Sequence, residues 1–144
     1  MSIHKDNKFR KYKGKFDLCF TSPPYFDREI YSDDKEQAIN SYPNFHLWKI
    51  KFLGRMIQTC YEYLKPNRKL LINISDISRG ENVLPLEQET ISLCLHKRFH
   101  YVGKIGMTMT RMIGLKTKGL KNSWFDKSTN TDYKIEPILV FEKR

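Results

Sequence analysis

A six-residue apolar run, Phe16-Asp17-Leu18-Cys19-Phe20-Thr21, stops abruptly at Ser22-Pro23-Pro24-Tyr25. Two successive prolines cannot continue a central strand, because each lacks a ladder N–H. The run therefore predicts a buried strand that ends in a rigid turn. In open α/β sheets, ligands bind at the carboxyl ends of the strands. Here that end offers Ser22 as a side-chain acceptor, the Pro23 carbonyl as a backbone acceptor, and Tyr25 as a flat aromatic face. Two acceptors beside an aromatic ring suit a planar group bearing an NH2. Taken alone, the tetrapeptide is equally compatible with a plain turn.

The rest of the chain alternates helical and extended patterns. Residues 1–15 are polar and basic and read as an arm. Residues 22–44 read mostly as loop, with a turn of helix around 33–39. Asn44 is placed to cap a helix over 45–64, whose apolar positions include Trp48, Phe52, Leu53, Met56 and Ile57. Pro66-Asn67 ends it, and 69–75 predicts a buried strand. A loop with Arg79-Gly80 follows, and Pro85 opens a second helix over 86–98. A long strand is expected over 99–110, then a flexible basic loop over 111–131. A last strand covers 136–142, with Pro137 expected at its start. Strand–helix alternation implies a mostly parallel α/β sheet. The last two strands have no helix between them and can pair as a hairpin, making one strand antiparallel.

Charge is clustered. The 144 residues carry 26 Lys+Arg against 16 Asp+Glu, a formal net charge of +10. Residues 1–15 contribute +5 and residues 97–127 contribute +7, so the remainder sums to −2. Two basic segments on a near-neutral body point to a polyanion partner, nucleic acid first. Hydrophobic residues make up 40%, too many for a disordered chain. The chain has neither an 18-residue apolar run nor an apolar segment near Met1 that would serve as a secretory signal, so a cytoplasmic location is expected. Cys19, Cys60 and Cys94 have no zinc spacing, and each sits among apolar neighbours. They read as structural free thiols, and no metal site is expected.

The segment Phe16 to Phe26 resembles the catalytic motif of the DNA amino-methyltransferases, [Asp/Asn/Ser]-Pro-Pro-[Tyr/Phe] after the fourth strand of their fold. The continuation Asp27-Arg28-Glu29-Ile30-Tyr31-Ser32 is similar to bacterial and phage members. The helix with Trp48 and Phe52, the strand Leu70-Leu71-Ile72-Asn73-Ile74 and the ending Glu136-Pro137-Ile138-Leu139-Val140-Phe141 follow in the family's order. The resemblance spans about residues 16–143. It implies a partial Rossmann-like class I methyltransferase sheet, with strands equivalent to the fourth to seventh.

The resemblance also implies roles. Ser22 and the Pro23 carbonyl, held by Pro24, would accept hydrogen bonds from the exocyclic amino group of cytosine or adenine. Tyr25 would stack on the flipped base and Phe26 would extend that wall. Ser in the first position leans toward N4 of cytosine. The methyl donor would be S-adenosylmethionine, with Thr21 and Asp27 as weaker cofactor contacts. Lys116, Lys118 and Lys121 would meet phosphates, and Trp124 would insert or stack. DNA is the expected substrate, with RNA open.

The family's Gly-rich cofactor loop and the acidic residue after its second strand have no counterpart here. Gly103-Lys104-Ile105-Gly106 follows no buried strand and opens no helix. Three readings follow. The chain is a catalytic half that needs another polypeptide for the cofactor half, a non-catalytic remnant, or a small basic nucleic-acid-binding module. In the first two, strand 16–21 presents a bare apolar edge, to be covered by that polypeptide or by a second copy.

Overall fold

The computed structural model describes residues 7–24, 44–79, 82–109, 123–128 and 131–144. One helical turn, α1 (Asn7–Arg10), precedes β1 (Phe16–Thr21). Gly14, at φ +66°, turns the chain into β1, and its N–H donates to the Glu62 carbonyl at 2.9 Å. The first strand matches its expected bounds, because the two prolines terminate it locally. The turn of helix expected around 33–39 lies outside the described residues.

The helix after Asn44 is continuous but not uniform. It comprises α2 (Phe45–Leu47), a π-helical segment (Trp48–Leu53) and α3 (Gly54–Tyr63). Asn44 caps it, its side chain accepting from the Leu47 N–H at 2.9 Å. The π segment explains a spacing that a pure α period does not. Trp48, Leu53 and Ile57 are all fully buried, and the five-residue step from 48 to 53 matches the wider π turn.

β2 (Leu64–Asn73) begins five residues earlier than the expected strand and passes through Pro66. The Phe16–Leu64 pairing draws this segment into the sheet, and a register shift between Phe16 and Leu18 absorbs Pro66-Asn67. The stretch containing Arg79-Gly80 is a small hairpin of β3 (Ile77–Arg79) and β4 (Asn82–Leu84), rather than plain loop. α4 (Leu86–His96) and β5 (Phe99–Thr108) fall close to their expected bounds. β6 (Ser123–Asp126) is a strand inside the segment read as loop. β7 (Thr131–Lys143) is longer than expected, because β6 pairs with its first residues.

The sheet order is β1-β2-β7-β5, with β6 on β7. β1 and β2 are parallel, and β7 runs antiparallel between β2 and β5. The expected hairpin-like pairing of the last long strands is thus present. Pro137, however, lies within β7 and not at its start. In a strand, a residue's N–H and C=O point to the same side. The Pro137 carbonyl accepts from the Ile74 N–H at 3.3 Å, so its missing N–H also faces β2, just past that strand's end at Asn73. The ladder to β5 loses nothing.

The two faces of the sheet differ. One register row joins Cys19, Leu70, Phe141 and Tyr101 across β1, β2, β7 and β5. Leu70 and Phe141, with Ile72 and Leu139, are fully buried in the cluster that contains Trp48, Ile57 and Cys94. The adjacent row carries Phe20, Leu71 and Val140 on the opposite face. Leu18 and Phe20 are each 55% exposed, and β1 has no strand on its outer side among the described residues. An exposed apolar edge is a template for association. The chain is therefore expected to self-associate as its concentration rises, and Leu18→Lys with Phe20→Lys to suppress this in sedimentation runs. Identical concentration-independent profiles for both proteins would count against this.

Candidate active site

Ser22 is the first residue beyond β1, and Asn73 is the last residue of the adjacent parallel strand β2. Parallel pairing brings the two strand ends together. The Ser22 Oγ–H donates to Asn73 Oδ1 at 3.1 Å, and Asn73 Nδ2 donates to the Pro137 carbonyl at 3.2 Å. Asn73 is only 4% exposed, so its amide is held by protein groups and little by water. Its orientation follows from chemistry: Nδ2 must face the carbonyl, so Oδ1 faces the serine.

This arrangement fixes the direction of the serine's proton. A hydroxyl has one donor and two acceptor lone pairs. With its proton committed to Asn73, exposed Ser22 presents lone pairs outward. Pro23 is buried and anchors the turn. The site can accept N–H groups and has little to donate, which suits an amino group. Asn73 is a residue of this candidate site that the motif reading did not single out. Its signal was present in the strand Leu70-Leu71-Ile72-Asn73-Ile74, where one amide interrupts an apolar run at a carboxyl end.

Of the other expected site residues, Thr21 donates its hydroxyl to Met56 Sδ at 3.7 Å, tying β1 to α3. Pro24 is half-buried in the turn. Tyr25, Phe26, Asp27, Lys116, Lys118 and Lys121 lie outside the described residues. Trp124 lies in β6, in register with Tyr133.

No group of His, Cys, Asp or Glu able to hold a metal occurs among the described residues. The three cysteines are free. Its hydrogen bond with Cys19 and then burial push the Cys60 thiol well up, and burial alone does the same for Cys94. Both stay protonated, which makes them poor nucleophiles. Among the described residues, no helix is long and apolar enough to cross a membrane.

The described residues thus form a mixed α/β sheet, with β7 antiparallel beside the parallel pair β1–β2 and a candidate acceptor site at the carboxyl end of that pair. The DNA methylase family model for N6 and N4 amino-methyltransferases matches residues 16–144, and the chain belongs to that family. A curated relative, the Type II beta methyltransferase M.BslI of Bacillus sp. (strain NEB-606), is 33% identical over 69 residues, covering 48% of this chain and 7% of the relative. Among solved structures, the chain superposes on TTHA0409 of Thermus thermophilus, assigned as a DNA modification methylase. The TM-score is 0.58 at 20% identity, over 91% of this chain and 46% of that one. A second crystal structure of TTHA0409, in complex with S-adenosyl-L-methionine, gives a TM-score of 0.58 at 18% identity, over 91% of this chain and 48% of that one. The likeness to these structures concerns the Rossmann-like fold, and the chain spans about half of their length.

Proposed function

We propose that this chain is the catalytic half of a site-specific DNA amino-methyltransferase, working with a cofactor half on another polypeptide segment. The observation that carries the reading is the Ser22–Asn73 hydrogen bond, which leaves the Ser22 lone pairs free to receive a substrate amino group. Accepting from that group keeps electron density on the nitrogen as it bonds to carbon. The Pro23 carbonyl acts as a second acceptor, and Tyr25 and Phe26 as the wall for the flipped base. Lys116, Lys118, Lys121 and Trp124 are assigned to the DNA strand, and Ser22 favours N4 of cytosine over N6 of adenine. S-adenosylmethionine supplies the methyl group in this chemistry. Thr21 and Asp27 are assigned as its edge contacts.

The bare edge and exposed face of β1 are where the cofactor half would join. By itself, this chain is expected to show no micromolar S-adenosylmethionine site in titration calorimetry. A saturable heat of that affinity would overturn the division into halves. The reaction is tested by mixing the chain with a polypeptide carrying a Gly-rich cofactor half and following labelled methyl into duplex DNA. Nucleoside analysis then reads N4-methylcytosine or N6-methyladenine. Absence of both from a properly assembled complex would favour a non-catalytic remnant or a plain binding module.

A further inference from the structure

Among the described residues, a group of basic side chains gathers at the end of the sheet away from the Ser22–Asn73 mouth. β1, β2 and β5 begin at that pole and β7 ends there, as the pairings Phe16–Leu64, Arg68–Lys143 and Phe99–Lys143 require. The turn after α1 brings Arg10, Lys11, Lys13 and Lys15 to it, held by the Gly14–Glu62 hydrogen bond. β2 adds Lys65, Arg68 and Lys69. The α4–β5 junction adds Lys97 and Arg98, and the end of β7 adds Lys143 and Arg144.

The carboxylates of these segments are Asp17, Glu62 and Glu142, and each is already paired. Asp17 binds Lys65 at 2.9 Å and Arg68 at 3.2 Å, Glu62 binds Lys13 at 2.5 Å, and Glu142 binds Lys69 and, at 3.2 Å, Arg144. The Lys65 hydrogen bond foremost pulls the Asp17 carboxyl below its usual range, and the Lys69 hydrogen bond does so for Glu142. Arg10, Lys11, Lys15, Lys97 and Arg98 have no carboxylate partner among the described residues. Lys97 and Arg98 also line an open cleft of about 310 Å³ with Gln58, Tyr61 and His96. Lys97 and Arg98 thus line an open cleft with room for a phosphate, at a pole with unbalanced positive charge.

We propose that this pole is a second, sequence-independent contact surface for the phosphate backbone of duplex DNA, a choice that rests on the DNA reading of the mouth. β1 spans six residues, so the pole lies roughly 20 Å from Ser22. It therefore engages a different stretch of DNA from the one whose base enters the site. Such contacts raise local substrate concentration and keep the protein on DNA between target sites. A bilayer fits less well: surface helices that bind membranes need an extended apolar face, and α1 is four residues long.

The test uses the full chain, a labelled 20-base-pair duplex and anisotropy titrations over a range of salt. Lys97→Glu with Arg98→Glu, and separately Lys11→Glu with Lys15→Glu, are expected to weaken binding about tenfold. Each pair should also flatten the salt slope by about 0.9 for every phosphate it no longer neutralises. The milder pair Lys97→Gln with Arg98→Gln should move both quantities in the same direction, with an unchanged circular dichroism spectrum. Unchanged affinity and slope in all three variants would overturn the proposal. So would binding to phosphatidylserine vesicles that depends on these residues while duplex binding does not. Methyl transfer by the assembled enzyme reads the mouth separately. Lost transfer with intact pole-dependent DNA binding would sink the catalytic reading alone, and intact transfer with pole-independent binding would sink this one alone.

Discussion

Replacing Ser22 by alanine is expected to lower kcat for methyl transfer by the assembled enzyme about 30- to 100-fold, with little change in duplex affinity. The amino nitrogen gains positive charge as it bonds to carbon, so its hydrogen bond to Ser22 strengthens on the way to the transition state. A hydrogen bond to a charged group is worth roughly 1.5–3 kcal/mol, and each ~1.4 kcal/mol of barrier is tenfold in rate. Binding of the duplex rests on phosphate contacts and is largely indifferent to one hydroxyl. Asn73→Ala should lower kcat less, about five- to tenfold, because Ser22 stays but its proton is free to turn toward the substrate. The Pro137 carbonyl keeps its bond from the Ile74 N–H in that variant, so the fold should survive. The expected signature of this positioning role is a fall in kcat at constant KM. Equal rates for wild type and Ser22→Ala in single-turnover assays would remove the serine from the mechanism.

Phe141→Ala is expected to cost about 3–5 kcal/mol of stability, the usual range for emptying a buried aromatic site. Phe141 is fully buried, pairs in register with Leu70 and Tyr101, and meets the Tyr101 and Phe99 rings at 5.5 and 6.4 Å between centroids. The cavity would open where β2, β7 and β5 converge, and no neighbouring strand can collapse into it without breaking a ladder. Domains typically hold only about 5–15 kcal/mol in total, and this sheet has one thinly covered face. Urea titration at constant slope should show the loss as a lower midpoint. A change under about 1 kcal/mol would mean that the sheet is not the stability centre.

Several elements were legible because their causes are local. Prolines stop β1 at Thr21, Asn44 caps its helix, and an apolar run bounded by polar residues marks β2. Other features depend on partners far along the chain. Pro66 sits in a strand because Leu64 pairs with Phe16, 48 residues away. Pro137 sits inside β7 because β2 ends opposite it. The π segment reflects the core's need to bury Trp48, Leu53 and Ile57 together, which short-range spacing alone does not dictate. The 123–126 strand was hidden in a polar, basic stretch whose composition resembles loop, and only pairing with β7 makes it extended.

By itself, the sequence determined the strand that stops at Ser22-Pro23-Pro24, the helix–strand alternation, the family resemblance and the excess positive charge. Each follows from neighbours in the chain or from composition. The tertiary structure decided where the Ser22 hydroxyl proton goes, because Asn73, 51 residues away, accepts it. It also decided where the described basic groups meet. Parallel strands joined by crossover helices collect their starting residues at one end, so basic groups that are scattered along the chain come together opposite the Ser22–Asn73 mouth.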